Sequence, residues 1–166
     1  MTNLSQALAR IAPSQTTAIT DRAIQLRAEG RDVISLSVGE PDFATPAHVV
    51  QAAKDALDAG DTKYTAVVGT AALREAAALH FRRDLGIEVP ASQVIVSAGG
   101  KQAIFHALLA TLDPGDEVLI PSPWWVSYPE IVRFAGADVV VLPTDAAGGF
   151  RITAAQLEAA ITPATR

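Results

Sequence analysis

Apolar residues recur at two spacings along this chain, and the switches between them set the expected elements. From Thr16 to Glu29, Ile19, Ala23 and Leu26 fall three or four apart and predict a helix, which Gly30 stops. "VISLSVG" (33–39) predicts a short strand that breaks at "GEPDF". Thr45 and Pro46 predict an N-cap followed by proline at the first helical position. The helix they open is expected to reach Ala59, with Val49, Ala53, Ala56 and Leu57 on its apolar face. "DTKYTAVVGT" (61–70) reads as a loop, and the helix that follows from Ala71 closes at Gly86.

The second half alternates more regularly. "QVIVS" (93–97), "EVLIP" (117–121) and "ADVVVLP" (137–143) are apolar on both faces, as strands of a sheet sandwiched between helices must be. Between them fall a helix from Lys101 or Gln102 to Leu112, a "DPGD" turn, and a loop and helix ending at Gly136. Thr153 and Gln156 have the spacing of a capping box for a last helix. Residues 1–13 lack strong periodicity and predict an arm or a short helix. Strand, helix, strand, helix, strand at this spacing predicts parallel crossover units and an α/β fold.

Composition narrows the function classes. With 166 residues, 49% of them hydrophobic and 19% charged, the chain can bury a real core. A net charge of −5 argues against a nucleic-acid partner, which calls for a basic face. The absence of cysteine removes disulfides, thiolate metal sites and cysteine nucleophiles together. No secretory signal is seen at "MTNLSQALARIAPS", and no segment approaches the ~18 apolar residues of a membrane span. A soluble, cytoplasmic protein is expected.

Four stretches carry candidate chemistry. "SAGGK" lies at the carboxyl end of an expected strand, where open parallel sheets bind ligands. Gly99 and Gly100 would let backbone N–H groups approach an anion, and the helix N-terminus adds partial positive charge. Such a joint can also be a plain glycine turn. A nucleotide P-loop would need glycine at 95 and Ser or Thr at 102, where this chain has Ile95 and Gln102. No G-x-G-x-x-G is present either.

"PSPWWVSYP" should crowd the same sheet edge, so one of Trp124 and Trp125 can face a flat aromatic ligand while the other fills the core. Both could instead simply cover apolar surface. In "SVGEPDF", Gly39 could admit a carboxylate to the backbone, or merely end a strand. Tyr64 is a polar-tipped aromatic on a loop, the place of many ordinary surface tyrosines. His48, His80 and His106 lie on helices without metal-like grouping and read as structural.

In this order the motifs resemble the N-terminal part of class I aminotransferases, pyridoxal-phosphate enzymes of the aspartate aminotransferase superfamily. "SLSVGEPDFATP", "KYTAVVGTAALREA", "VSAGGKQAIFHALLATLDPGDEVLIPSPWWVSYPEIVRFAGA" and "ITPATR" carry that resemblance over essentially the whole chain. The bacterial aspartate aminotransferase subgroup, some of whose members also accept prephenate, is the nearest match. Val68 and Thr70 depart from what relatives often show, which loosens substrate assignment.

The resemblance implies the PLP-dependent transferase fold (fold type I), helices packed on a mostly parallel sheet, here limited to its first part. It implies an arm and part of a small domain over 1–45, and the start of a large cofactor-binding domain over 46–166. Gly99, Gly100 and Lys101 would form the cup for the 5′-phosphate of pyridoxal 5'-phosphate, with Trp125 stacked on its ring. Gly39 would meet the substrate α-carboxylate. Tyr64 would reach the phosphate in a neighbouring subunit, implying a homodimer. Lys101 and Trp125 would also contact substrate, with the Lys101 ammonium favouring aspartate or glutamate.

The implied reaction is transamination between an amino acid and a 2-oxo acid. It needs a lysine for the Schiff base to the cofactor. The chain has Lys54, Lys63 and Lys101, none at the matching position. That lysine is expected beyond Arg166, so residues 1–166 alone are expected to be inactive. A non-catalytic aminotransferase-like module and an unrelated phosphate-binding α/β domain are the other readings.

Overall fold

The computed structural model describes residues 4–39 and 41–166, so residues 1–3 of the expected arm and Glu40 of "SVGEPDF" lie outside the described residues. The chain forms two compact units, one of Met1–Gly39 with Ile104–Arg166 and the other of Glu40–Ala103.

In the first unit, two strands β1 (Glu117–Pro121) and β2 (Asp138–Leu142) pair in parallel, from Glu117 opposite Asp138 to Pro121 opposite Leu142. The helix that joins them, called α6 below, covers Ser127–Ala135 and buries Pro129, Ile131 and Val132. It ends at Gly136, which takes the left-handed conformation at φ 97°. Leu112, Ile120, Val132 and Ala137 form the buried core, flanked by Leu108, Val118, Tyr128, Ala135 and Val139. Both strands are β-branched or leucine-rich, so each supplies inward positions to this core.

A third chain segment reaches the other edge of β1. Glu117 N–H donates to Ala164 O at 2.8 Å and Arg166 N–H donates to Glu117 O at 3.0 Å, making a parallel bridge between Glu117 and Thr165. Helix α7 (Ala154–Ala160) precedes it and carries the expected capping box between Thr153 and Gln156.

At the N-terminal end, α1 (Gln6–Ala9) packs on α6, and Glu130 accepts the Ala12 N–H at 2.8 Å. Helix α2 (Gln15–Ala28) starts where the Ser14 side chain accepts the Thr17 N–H, and it buries Ala23. Residues 33–39 are expected as a strand. They run without ladder partners among the described residues, leaving Ile34 88% and Leu36 94% exposed. Apolar character alone does not make a strand; the backbone needs a neighbour to bond.

The second unit holds α3 (Ala47–Asp58) and α4 (Ala71–His80), the latter continuing through a π-helical turn over Phe81–Leu85. Helix α3 begins one residue later than the sequence suggests. Pro46, at ψ 137°, is its N-cap, and no side chain caps the end. "QVIVS" departs further from expectation. Ala91–Gln93 form a 3₁₀ turn, after which Val96 N–H donates to Val68 O at 3.0 Å and Arg74 Nε to Val94 O at 2.9 Å. A loop and a guanidinium take the bonds that a neighbouring strand would take. Helix α5 (Gly100–Thr111) starts in this unit and contributes its residues from Ile104 onward to the first.

Candidate active site

The "SAGGK" joint is a tight turn leading into α5. Gly99 N–H donates to Ser97 O at 2.8 Å, and Ala103 N–H donates to Gly99 O at 3.4 Å as the first bond of the helical ladder. The Gln102 side chain reaches back to accept the Ala98 N–H. Amides of the first turn precede any intrahelical acceptor and point out of the helix end, where the helix dipole is positive.

The two glycines differ in what they need. Gly99 sits at φ +85°, a conformation that L side chains rarely adopt. Gly100 has no such φ, and a Cβ placed there would meet nothing within 4 Å. Neither backbone conformation nor packing among the described residues calls for glycine at 100. An external group approaching the turn would, so this position fits a phosphate held by backbone amides. Lys101 follows on the first turn, with an exposed side chain.

Tyr64 lies in the same unit, fully exposed on the loop between α3 and α4. Gly39 and Trp125 belong to the first unit. Gly39 has open space where a Cβ would be. Trp124 and Trp125 are 36% and 48% exposed, so of the two arrangements open to the pair, neither indole fills the core. Their loop leaves the carboxyl end of β1 and enters α6, where Tyr128 N–H donates to Trp125 O at 3.0 Å.

Two features escaped the sequence reading. His80 Nδ1 lies 2.7 Å from Asp84, whose other oxygen lies 2.6 Å from Arg83 Nε. The Arg83 bond holds the Asp84 carboxyl below the usual carboxylate range, with the His80 charge a lesser cause. An i, i+4 His–Asp spacing could have flagged the pair, but its exposure marks it as a solvated surface contact. No metal-type cluster occurs among the described residues. The second is a hydroxyl at Thr144 that meets the carbonyl of Ser122, where the Trp loop begins.

Residues 31–166 match the family "Aminotransferase class I and II", and the chain belongs to that family. Pyridoxal 5′-phosphate is the family's cofactor.

The chain is 53% identical to an aspartate/prephenate aminotransferase of Cereibacter sphaeroides, covering 100% of this chain and 42% of that protein. It is 48% identical to an aspartate aminotransferase of Rhizobium meliloti, covering 96% of this chain and 39% of the relative. Among solved structures, the aspartate aminotransferase of Thermus thermophilus with maleate superposes with a TM-score of 0.95 at 48% identity. That match covers 100% of this chain and 44% of the other. The fold is thus the first part of the PLP-dependent transferase fold, and the chain spans roughly two fifths of the length of these relatives. No helix among the described residues is long and apolar enough to cross a membrane.

Proposed function

We propose that this chain is the N-terminal part of a pyridoxal-phosphate-dependent aminotransferase that exchanges an amino group between aspartate or glutamate and a 2-oxo acid. What carries the reading is identity of 53% over the whole chain to an aspartate/prephenate aminotransferase, with "SAGGK" at the start of a helix. The proposed division is an arm with part of a small domain over 1–45, and the opening of the cofactor domain over 46–166.

Gly99, Gly100 and Lys101 hold the 5′-phosphate through first-turn amides, whose partial charge costs no reorganisation on binding. Trp125 offers a flat face to the pyridine ring, and Gly39 lets a substrate carboxylate approach the backbone. The Lys101 ammonium selects a second carboxylate on the substrate. Tyr64, on its exposed loop, serves the phosphate of a second subunit in a cytoplasmic homodimer. The cofactor, when bound, supplies the electron sink for transamination.

None of Lys54, Lys63 and Lys101 is placed to bond the cofactor covalently in this scheme, so residues 1–166 alone do not turn over. Aspartate and 2-oxoglutarate supplied to the purified chain with the cofactor test this directly. No oxaloacetate is expected; turnover by this chain alone overturns the assignment of its lysines. Titration with pyridoxal phosphate is expected to quench Trp125 fluorescence weakly, and an unchanged emission at saturating cofactor counts against the cup.

A further inference from the structure

The ladder between β1 and β2 runs one rung past both strands, and the last rung is made by a side chain. Ser122 N–H donates to Leu142 O at 2.9 Å. In a parallel pair, a residue whose N–H bonds one residue of the partner turns its C=O to the residue two positions further along. From Leu142 that position is Thr144. Thr144 meets the Ser122 carbonyl with its hydroxyl. The Ser122 hydroxyl adds a long contact to Leu142 O, 3.5 Å.

The surrounding sequence leaves little else to do this. Pro121 and Pro123 flank Ser122, so within 121–123 only Ser122 has a backbone donor. Pro143 stands between Leu142 and Thr144, at an alternate position whose N–H would face away from β1, so its missing donor costs this ladder nothing. Three residues beyond Ser122 is Trp125, whose carbonyl accepts the Tyr128 N–H.

We infer that Thr144 is a positioning residue for Trp125: its hydroxyl fixes the Ser122 carbonyl, and with it the direction in which the loop 122–126 leaves the sheet. The functional consequence rests on the reading of Trp125 as the ring-stacking residue. Without the Thr144 rung, a polar carbonyl next to two prolines loses its acceptor bond at the point where the loop departs, and Trp125 samples a wider range of directions.

The chain has two tryptophans, so Trp124→Phe leaves Trp125 as the sole indole and a local reporter. In that background Thr144→Val keeps shape and removes the hydroxyl, while Thr144→Ser keeps the hydroxyl. Acrylamide quenching of Trp125 in the 166-residue chain is expected to rise in Thr144→Val and return to the parent value in Thr144→Ser. Pyridoxal-phosphate affinity is expected to fall about threefold to tenfold in Thr144→Val, the range for one lost hydrogen bond. Should Thr144→Val not fold, Thr144→Ala is read by amide hydrogen exchange at Ser122, where faster exchange is expected. Unchanged quenching and unchanged exchange overturn the inference. A parent chain whose Trp125 emission ignores the cofactor overturns the cofactor reading instead, while the quenching comparison still decides the role of Thr144.

Discussion

Gly69 and Val96 stand so close that no side chain fits between them: a Cβ added at Gly69 would lie 2.6 Å from Val96 Cγ2. The same contact carries the bond from Val96 N–H to the neighbouring Val68 carbonyl. This joins the loop before α4 to the segment leading into "SAGGK".

Gly69→Ala is therefore expected to be among the most damaging single-methyl changes in the chain. The added carbon meets backbone-held Val96, and alanine at φ +99° adds conformational strain. Together these amount to about 2–4 kcal/mol. Urea denaturation followed by circular dichroism measures it. A midpoint equal to that of the parent would show that the loop moves aside freely.

Val132 and Ile95 are both β-branched, yet their substitution by alanine should differ sharply. Val132 is completely buried in the β1–β2–α6 core, whereas Ile95 is 71% exposed. Val132→Ala leaves a cavity among Leu112, Ile120 and Ala137 and is expected to cost about 1–3 kcal/mol. Ile95→Ala is expected to stay within about 0.5 kcal/mol in this chain. Thermal melts of the two variants side by side test the contrast.

Ile95, in "QVIVS", marks how far sequence patterning reached. "EVLIP" and "DVVVL" formed strands as expected, because each finds the other 21 positions away in parallel register. "VISLSVG" and "QVIVS" have equal β character and formed none, because a ladder depends on a partner that periodicity within a segment does not encode. Caps were legible where a side chain makes the bond, as at Thr153 with Gln156, and misplaced at Thr45, where Pro46 took the position instead. Of the candidate site, the turn at Gly99 and the start of α5 could be read from residue types. The Thr144 rung could not, since nothing in the sequence pairs position 144 with 122 before the register of two strands is known.

Acid should weaken the start of β1 through Asp116. Its carboxylate accepts the Asp113 N–H at 2.9 Å, and Arg166 lies 3.4 Å away. The Asp113 bond, and secondarily the Arg166 charge, lowers the Asp116 pKa from its ordinary value. A group whose folded pKa is depressed contributes stability above its unfolded pKa, about 3.9 for Asp. That contribution is lost as pH falls through the lower folded value. Asp116→Asn cannot titrate, so its melting temperature should fall less steeply between neutral pH and pH ~3 than that of the parent. Parallel acid limbs for the two proteins would remove Asp116 from the account.

The two glycines of the turn offer the sharpest separation of fold from function. Gly99→Ala forces a side chain into φ +85° and is expected to lower the melting temperature, at about 1–2 kcal/mol of stability. Gly100→Ala meets nothing within 4 Å and has an ordinary φ for a residue beginning a helix, where alanine is the better helix former by up to about 1 kcal/mol. Its melting temperature should hold or rise. In the proposed phosphate cup a methyl group at that point would stand in the anion's path to the first-turn amides, so affinity for pyridoxal phosphate should drop. Fluorescence titration of both variants beside their melts measures the two effects separately. If Gly100→Ala binds the cofactor as the parent does, the anion does not approach α5 from this side, and the phosphate cup must be sought on other residues.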